Sequence, residues 1–175
     1  MRGCSGRGTA PMNLPDTQLS RTKDGQNAVT LWQATFDRDA ALFADLRPGA
    51  RMGLVARSGW HAGAGRRIAA MRAALVDAED IPMLAFDAAD GRIRVGVRPF
   101  RGVDQADLDL LFVAEDRAQA DLESLPSDAI LRTMKRLLRE GAVMFYVFRT
   151  KAELQDAGYE DFLDSLGLAF LGACR

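Results

Sequence analysis

Cysteine and histidine are almost missing from this chain of 175 residues. The two cysteines, Cys4 and Cys174, stand at opposite ends, and the only histidine is His61. A disulfide framework or a zinc site needs several such residues at short spacing, so we expect neither. A bond between Cys4 and Cys174 would require the two termini to meet. We therefore expect a reduced, cytoplasmic protein without a bound metal.

Long apolar runs are also missing, so no membrane-spanning segment is expected. The first eleven residues contain Arg2 and Arg7 but no apolar stretch behind them, which is not typical of a secretory signal. We expect residues 1–24 to form a flexible leader, with Met12 as an alternative start to Met1. The remaining residues, 25–175, match the length of one globular domain.

Charge is unevenly distributed along the chain. Residues 51–101 carry nine basic and five acidic side chains, whereas residues 102–128 carry one basic and eight acidic side chains. This pattern indicates a solvated acidic face and lacks the sustained basic surface that binds nucleic acid. The paired aspartates of the chain match no calcium-loop pattern.

Local patterns predict intermixed strands and helices. An Asp90-Gly91 turn between two β-rich runs predicts a hairpin, and Thr150 with Glu153 forms a capping box at a helix start. Strands are predicted at 28–36, 52–57, 81–86, 92–98 and 142–148, with a last edge strand at 168–171. Helices are predicted after Asp37, at 66–78, at 104–122, from 127 to Gly141 and from Thr150 onward. This order predicts an α+β or mixed α/β domain, with five to six strands and about five helices packed on the sheet.

The segment between the predicted strand 52–57 and the helix 66–78 is the strongest candidate site. Its glycines allow backbone amides to converge at a helix N-terminus, where an anion is stabilised, and its arginines donate forked hydrogen bonds to phosphate. The candidate ligand-binding residues are Arg57, Ser58, Gly59, Trp60, His61, Gly63, Gly65, Arg66 and Arg67. The spacing matches neither the dinucleotide fingerprint nor the P-loop. The alternative is a connection that needs glycine only for its backbone conformation.

His61 and Trp60 leave two further interpretations open. A catalytic loop would use His61 as a base, with Trp60 as a pocket wall. A structural loop would leave His61 in solvent. Ser58 has no base beside it in the sequence, and a serine without one is a poor nucleophile. We predict no catalytic residue.

A secondary basic face follows from the alternation of the predicted strand 92–98. Arg92, Arg94 and Arg98 share one face of that strand. Facing a cleft, they would bind phosphates or carboxylates. On an edge strand, they would instead discourage association between sheets.

Gly63-Ala-Gly65-Arg66, after a strand, is similar to the pyrophosphate-binding segment of the acyl-CoA N-acyltransferase superfamily. Residues 161–170 also resemble the late helix-turn-strand of that family. The likeness covers about 30 residues and omits the strands expected before the glycine turn. It implies an N-acyltransferase that uses coenzyme A.

Two functions therefore remain in competition. The first is a non-catalytic regulatory or accessory module that binds a protein partner or a small anion through the Gly59–Gly65 loop. The alternative is the acyltransferase, with coenzyme A or a nucleotide as its cofactor in that loop. Under the first interpretation no cofactor is expected.

Overall fold

The protein is an α+β domain built on one mixed five-stranded sheet. The structure is a computed structural model that describes residues 16–57, 81–100, 102 and 107–168, with the backbone alone for residues 16–24. The strands are β1 (Arg51–Ala56), β2 (Ile81–Ala89), β3 (Arg92–Phe100), β4 (Leu110–Ala114) and β5 (Val143–Val147). Their spatial order is β3-β2-β1-β4-β5. β1 and β4 are parallel, and every other neighbouring pair is antiparallel.

The helices of the described residues pack on one face of this sheet. They are α1 (Asp16–Arg38), α2 (Asp116–Glu123), α3 (Ile130–Glu140), α4 (Lys151–Asp156) and α5 (Glu160–Ser165), with a 3₁₀ turn at Ala40–Phe43. All of them contribute to one hydrophobic core with the helix-facing side chains of the strands. Because side chains alternate along a strand, the same strands build a second apolar cluster on the opposite face, which includes Val55, Met83 and Leu111.

The strand predicted at 28–36 is wrong, because this segment belongs to α1. The β-branched and aromatic residues there favour a strand by composition. Ala28, Trp32 and Phe36 instead lie four residues apart on one helix face and are all buried. Burial of that stripe against the sheet outweighs local propensity. α1 also begins at Asp16, inside the region predicted as a flexible leader.

The long acidic helix predicted at 104–122 is also wrong. Residues 110–114 form β4, whose five residues are all buried, and the helix begins only at Asp116. A short continuous apolar run fits a central strand as well as a helix. β4 lies between β1 and β5, which explains its apolar composition on both faces.

The hairpin, the third helix and the capping box are confirmed. Asp90 and Gly91 both have positive φ, which matches the two-residue turn between β2 and β3. α3 ends at Gly141, which adopts the left-handed conformation. Thr150 and Glu153 make the reciprocal hydrogen bonds of a capping box. The strand predicted at 142–148 is present as β5, but it lies at an edge and is mostly half-buried, not buried on both faces.

A side chain pairs with part of the outer edge of β3. The Gln33 amide donates to the Ile93 carbonyl at 2.8 Å, and its oxygen accepts from the Val95 amide at 3.0 Å. This carboxamide reproduces the pairing that a further strand would offer. At Ile93 and Val95 it therefore occupies the backbone groups that an added strand would need.

Candidate functional site

The predicted anion-binding loop lies mostly outside the described residues. Of its residues only Arg57 is described, whereas Ser58, Gly59, Trp60, His61, Gly63, Gly65, Arg66 and Arg67 are not. Arg57 directly follows β1, and its guanidinium lies 3.2 Å from the Glu115 carboxylate. Anion binding by the loop stays a prediction, as do the predicted helix 66–78 and the predicted last strand 168–171.

The predicted basic face is on the edge strand β3. Arg92, Arg94 and Arg98 all lie on one face and are exposed. Arg94 pairs with Asp90 at 3.1 Å, and Arg98 pairs with Asp87. The hairpin thus supplies carboxylates for two of the three arginines.

An apolar cleft lies on the other face of this hairpin, between α1, the sheet and α2. Its volume is about 840 Å³, which falls within the range of small-molecule sites. It is lined by Gly25, Gln26, Ala28, Val29, Leu54, Pro82, Met83, Leu84, Val95, Gly96, Val97, Gln119 and Glu123. We call these thirteen residues the apolar cleft. Val97, at its rim, is 48% exposed and is the only large hydrophobic residue of the described chain that is exposed to this extent.

Small side chains on α1 leave room for the cleft. Gly25 and Ala28 lie one turn apart on the helix face toward the sheet, and a Cβ at Gly25 would come no closer than 3.8 Å to Val97. One and two turns further along, Trp32 and Phe36 stand at the equivalent positions of α1, and their rings pack against Phe86. The change from small to aromatic residues along α1 therefore opens one end of an otherwise packed interface.

Two polar residues of α2, Gln119 and Glu123, also line the apolar cleft. The Gln119 amide nitrogen donates to the Glu123 carboxylate at 2.8 Å. This hydrogen bond orients the amide, because the opposite orientation would place two oxygens against each other. The other atom, Gln119 Oε1, is buried and has no hydrogen-bond partner. A buried acceptor without a donor carries a free-energy penalty of about 1–3 kcal/mol.

A second polar cluster surrounds the buried carboxylate of Asp109. It accepts hydrogen bonds from the Arg51 backbone amide at 2.9 Å, the Tyr159 hydroxyl at 2.8 Å and Arg149 Nε at 2.7 Å. Asp107 lies 2.6 Å from the Arg51 guanidinium and 3.5 Å from that of Arg149. We call these five residues the Asp109 network. Through Asp87, which pairs with Arg51 at 3.9 Å and with Arg98, the ion pairs continue to β2 and β3.

Gly158 places Tyr159 in this network. It joins α4 to α5 with φ of 81°, and a Cβ there would overlap the Asp45 carbonyl oxygen. Only glycine fits this close approach. The resulting turn buries Tyr159 completely.

Burial and charge change the proton affinity of the network. Burial, with the neighbouring Asp109 charge and its hydrogen bond, raises the pKa of Tyr159 far above its usual value. The hydrogen bond to Asp109 raises the pKa of Arg149 further. Both groups therefore keep their protons at neutral pH, and Tyr159 serves as a fixed donor.

Both oxygens of the Asp109 carboxylate are engaged by neighbouring donors. Each carboxylate oxygen of Asp109 has a donor, and the adjoining cleft measures only about 220 Å³.

Another cleft of about 670 Å³, between β5 and the ends of α3 and α5, is lined mainly by apolar residues. No group of three or more acidic, histidine or cysteine side chains in the described ranges is placed to hold a metal. Within the same part of the chain, no helix is long and apolar enough to cross a bilayer.

Sequence patterns do not reveal either the apolar cleft or the Asp109 network. The predicted helix 104–122 contains Asp109, and its partners Arg51, Arg149 and Tyr159 lie 58, 40 and 50 residues away. The cleft combines several elements through small and branched residues that look like ordinary core. The one available signal is the polar pair Gln119 and Glu123, one turn apart on α2 beside the buried Ala118 and Leu122.

Comparison with known proteins yields structural likenesses only. No protein-family model matches the chain, and no curated protein sequence matches it. Among solved structures, the chain is similar to a ubiquinone synthesis protein designated UbiJ-SCP2, with 13% identity, 89% of this chain and 99% of the other covered, and a TM-score of 0.40. It is also similar to a conserved hypothetical protein of Thermus thermophilus, described as possibly a sterol carrier protein. That match has 16% identity, covers 82% and 84% of the two chains, and has a TM-score of 0.41. The resemblance to acyl-CoA N-acyltransferases finds no support in these comparisons.

Proposed function

We propose that this chain is a binding module that holds the hydrocarbon part of a small ligand in the apolar cleft. The cleft's volume and its apolar walls carry the proposal. Transfer of hydrocarbon from water into such a site is favourable by about 25 cal/mol for each Å² of apolar surface buried. The proposal replaces the small anion with an apolar molecule as the ligand and keeps the non-catalytic interpretation.

Three features of the cleft support binding over simple imperfect packing. The exposed Val97 at the rim offers an apolar entrance. The helices α1 and α2 and the strands β1, β2 and β3 form its walls, so the cleft is a feature of the tertiary fold. Its size exceeds the few water-sized voids that packed interiors contain. Together they make a concave apolar site with a few polar groups, the usual composition of a ligand pocket.

The experiment compares two alanines of α1. Ala28 faces the cleft and is buried, whereas Ala34 is exposed on the same helix. Ala28→Leu would fill part of the cleft, and Ala34→Leu would add the same atoms to the solvent side. The measurement is the change in melting temperature and in tryptophan fluorescence when an alkyl-chain probe such as decan-1-ol is added.

We expect the probe to raise the melting temperature of the natural chain and of Ala34→Leu, because a ligand that binds only the folded state stabilises it. Ala28→Leu should lose most of this rise. Val97→Asp, at an exposed position that tolerates charge, gives a second readout by making the rim polar. An equal rise in all four proteins would contradict the proposal.

A further inference from the structure

The two edges of the sheet differ in how their outward backbone groups are used. On β3, the Gln33 carboxamide occupies the Ile93 carbonyl and the Val95 amide, and the strand itself contains three arginines and Pro99. β5 (Val143–Val147) contains neither a charged residue nor a proline. Charge and proline are common means by which an edge strand resists pairing with another chain, so β5 lacks the protection that β3 has.

The register between β4 and β5 determines which backbone groups of β5 are left over. The Phe148 amide donates to the Asp109 carbonyl at 2.9 Å, and the register continues unbroken through β5, so even-numbered residues bond to β4. The backbone groups of Val143, Phe145 and Val147 therefore point away from the sheet. Among the residues that the structure describes, none of these three has a backbone partner on that side. Such a row of groups is a template for a further strand.

This unpaired edge lies in the cleft of about 670 Å³ beside β5, which we call the β5 cleft. All five residues of β5 line it, and the end of α3 and residues 166–168 form its other walls. Leu138, Leu166 and Leu168 make these walls mainly apolar. A strand edge with apolar walls beside it suits an extended peptide that binds by strand addition. In that mode, main-chain hydrogen bonds give affinity and the walls accept alternate side chains.

Two cations without a carboxylate partner stand at the β5 cleft. Arg139 lines it, and a Cβ built on Gly167, another lining residue, would lie 3.4 Å from Arg139 Nη2 and 3.6 Å from Lys135 Nζ. Neither cation forms an ion pair within the described chain, whereas Arg136 on the same helix pairs with Glu140 at 2.8 Å. A carboxylate on the bound segment would supply the complementary charge.

We propose that the β5 cleft binds an extended segment of a partner protein, which adds a strand to β5 and carries an acidic side chain toward Arg139 and Lys135. The charge argues against two other sources of a strand. Residues 141–149 of a second copy would bring Arg149 and no acidic side chain, and residues 169–175 of this chain contain no acidic side chain either. The inference goes beyond the proposed function and is independent of it, because no described residue lines both clefts.

The probe is the acetylated peptide amide Asp-Val-Thr-Val-Thr-Val-Asp, which spans about 23 Å when extended, enough for the five residues of β5. Its dissociation constant is measured by NMR titration at the amides of Val143, Phe145 and Val147. We expect saturable shifts and slower hydrogen exchange there, because each amide gains an acceptor. The same peptide N-methylated at every Val and Thr should lose this binding. Asn in place of both Asp residues should weaken it about fivefold.

A matched pair of variants tests the strand edge. Val147→Pro removes one outward amide from β5. Val97→Pro makes the same change at the outer edge of β3, two residues after the outward amide of Val95. Loss of one hydrogen bond should raise the dissociation constant of the peptide about tenfold in Val147→Pro. Val97→Pro should leave it unchanged.

A second matched pair tests the charge. Lys135→Gln with Arg139→Gln removes the two cations beside Gly167. Arg132→Gln with Arg136→Gln removes two exposed cations of the same helix that do not line the β5 cleft. The first double variant should bind the peptide about fivefold more weakly and no longer distinguish Asp from Asn in the probe. The second should bind as the natural chain does.

Four results would overturn the inference. The first is the absence of saturable shifts up to about 1 mM peptide, and the second is binding that Val147→Pro does not weaken. The third is a dimer of the free chain that Val147→Pro converts to a monomer in sedimentation, since a second copy would then occupy the edge. The fourth is slow exchange of the three outward amides in a free monomer, since the chain would then cover its own edge. Should Val147→Pro fail to fold, the N-methylated peptide and the Gln variants still decide.

Discussion

The apolar cleft and the Asp109 network differ in whether their buried polar atoms have hydrogen-bond partners. In the network, the Asp109 carboxylate has three donors and Tyr159 has its acceptor. In the cleft, Gln119 Oε1 has no donor. Buried polar groups that are fully paired hold a fold together, whereas a buried acceptor without a donor lowers stability. The comparison assigns a structural role to the network and none to Gln119.

The largest effect is expected from Asp109→Asn. The new NH₂ group would face donors from Arg51 and Tyr159 or from Arg149, and the charge that pairs with Arg149 would disappear. We expect the free energy of unfolding to fall by about 3 kcal/mol in a chemical melt.

Asp107→Asn is the matched control for that change. Asp107 also contacts Arg51 and Arg149, but its side chain is 69% exposed. Exposed ion pairs contribute about 0–1 kcal/mol, so little loss is expected. Equal losses in the two variants would show that burial does not distinguish the residues of the network.

A smaller loss, about 2 kcal/mol, is expected from Tyr159→Phe. This change removes one donor from a buried carboxylate and keeps the ring in the core. The double variant with Asp109→Asn should lose clearly less than the sum of the two single losses, because both remove the same hydrogen bond. Strict additivity in chemical melts would mean that this hydrogen bond contributes nothing.

The hairpin and α3 follow from sequence because their signals are local. Asp90-Gly91 specifies a turn through its own backbone preferences, and α3 repeats its apolar residues at the helical period up to Gly141. By contrast, the composition of residues 28–36 favours a strand although Ala28, Trp32 and Phe36 have helical spacing. Only the sheet that covers these three side chains distinguishes the two interpretations.

Neither the network nor the cleft follows from local patterns. Asp109 meets Arg51, Tyr159 and Arg149, which are 58, 50 and 40 positions away, only after β1, β4 and β5 have assembled. The unpaired atom of Gln119 becomes visible only when every neighbouring donor is placed. Long-range pairing is therefore the missing information in both cases.

Proton release from the tyrosines gives a further test of burial. Burial raises the pKa of both tyrosines of the chain, Tyr146 and Tyr159. Since a raised folded pKa favours the protonated form, the stabilisation is complete below the unfolded pKa of about 10 and is lost as pH rises through the folded pKa. In the folded chain, tyrosinate absorbance should appear only above that unfolded value, with Tyr159 last. Ionisation of both residues at the pH found for the urea-unfolded chain would contradict this.

A change as small as that of Asp107→Asn is expected from Gln119→Leu without ligand. The variant removes a buried acceptor that has no donor, and the hydrogen bond from Gln119 to Glu123 that it also removes is only partly buried. We expect the free energy of unfolding to change by less than about 1 kcal/mol, with either sign. A loss as large as that of Asp109→Asn would show that Gln119 is structural, which would remove the difference between the two regions.

The most direct measurement is a methyl NMR titration with decan-1-ol. Leu54, Leu84, Val95 and Val97 line the apolar cleft, whereas Val143, Val147 and Leu166 line the cleft beside β5 and serve as internal controls. If the apolar cleft binds the ligand, the first set should shift in proportion to occupancy and show intermolecular contacts with the alkyl chain, while the second set stays in place. Shifts confined to the β5 cleft, or no saturable shift in the first set, would contradict the account.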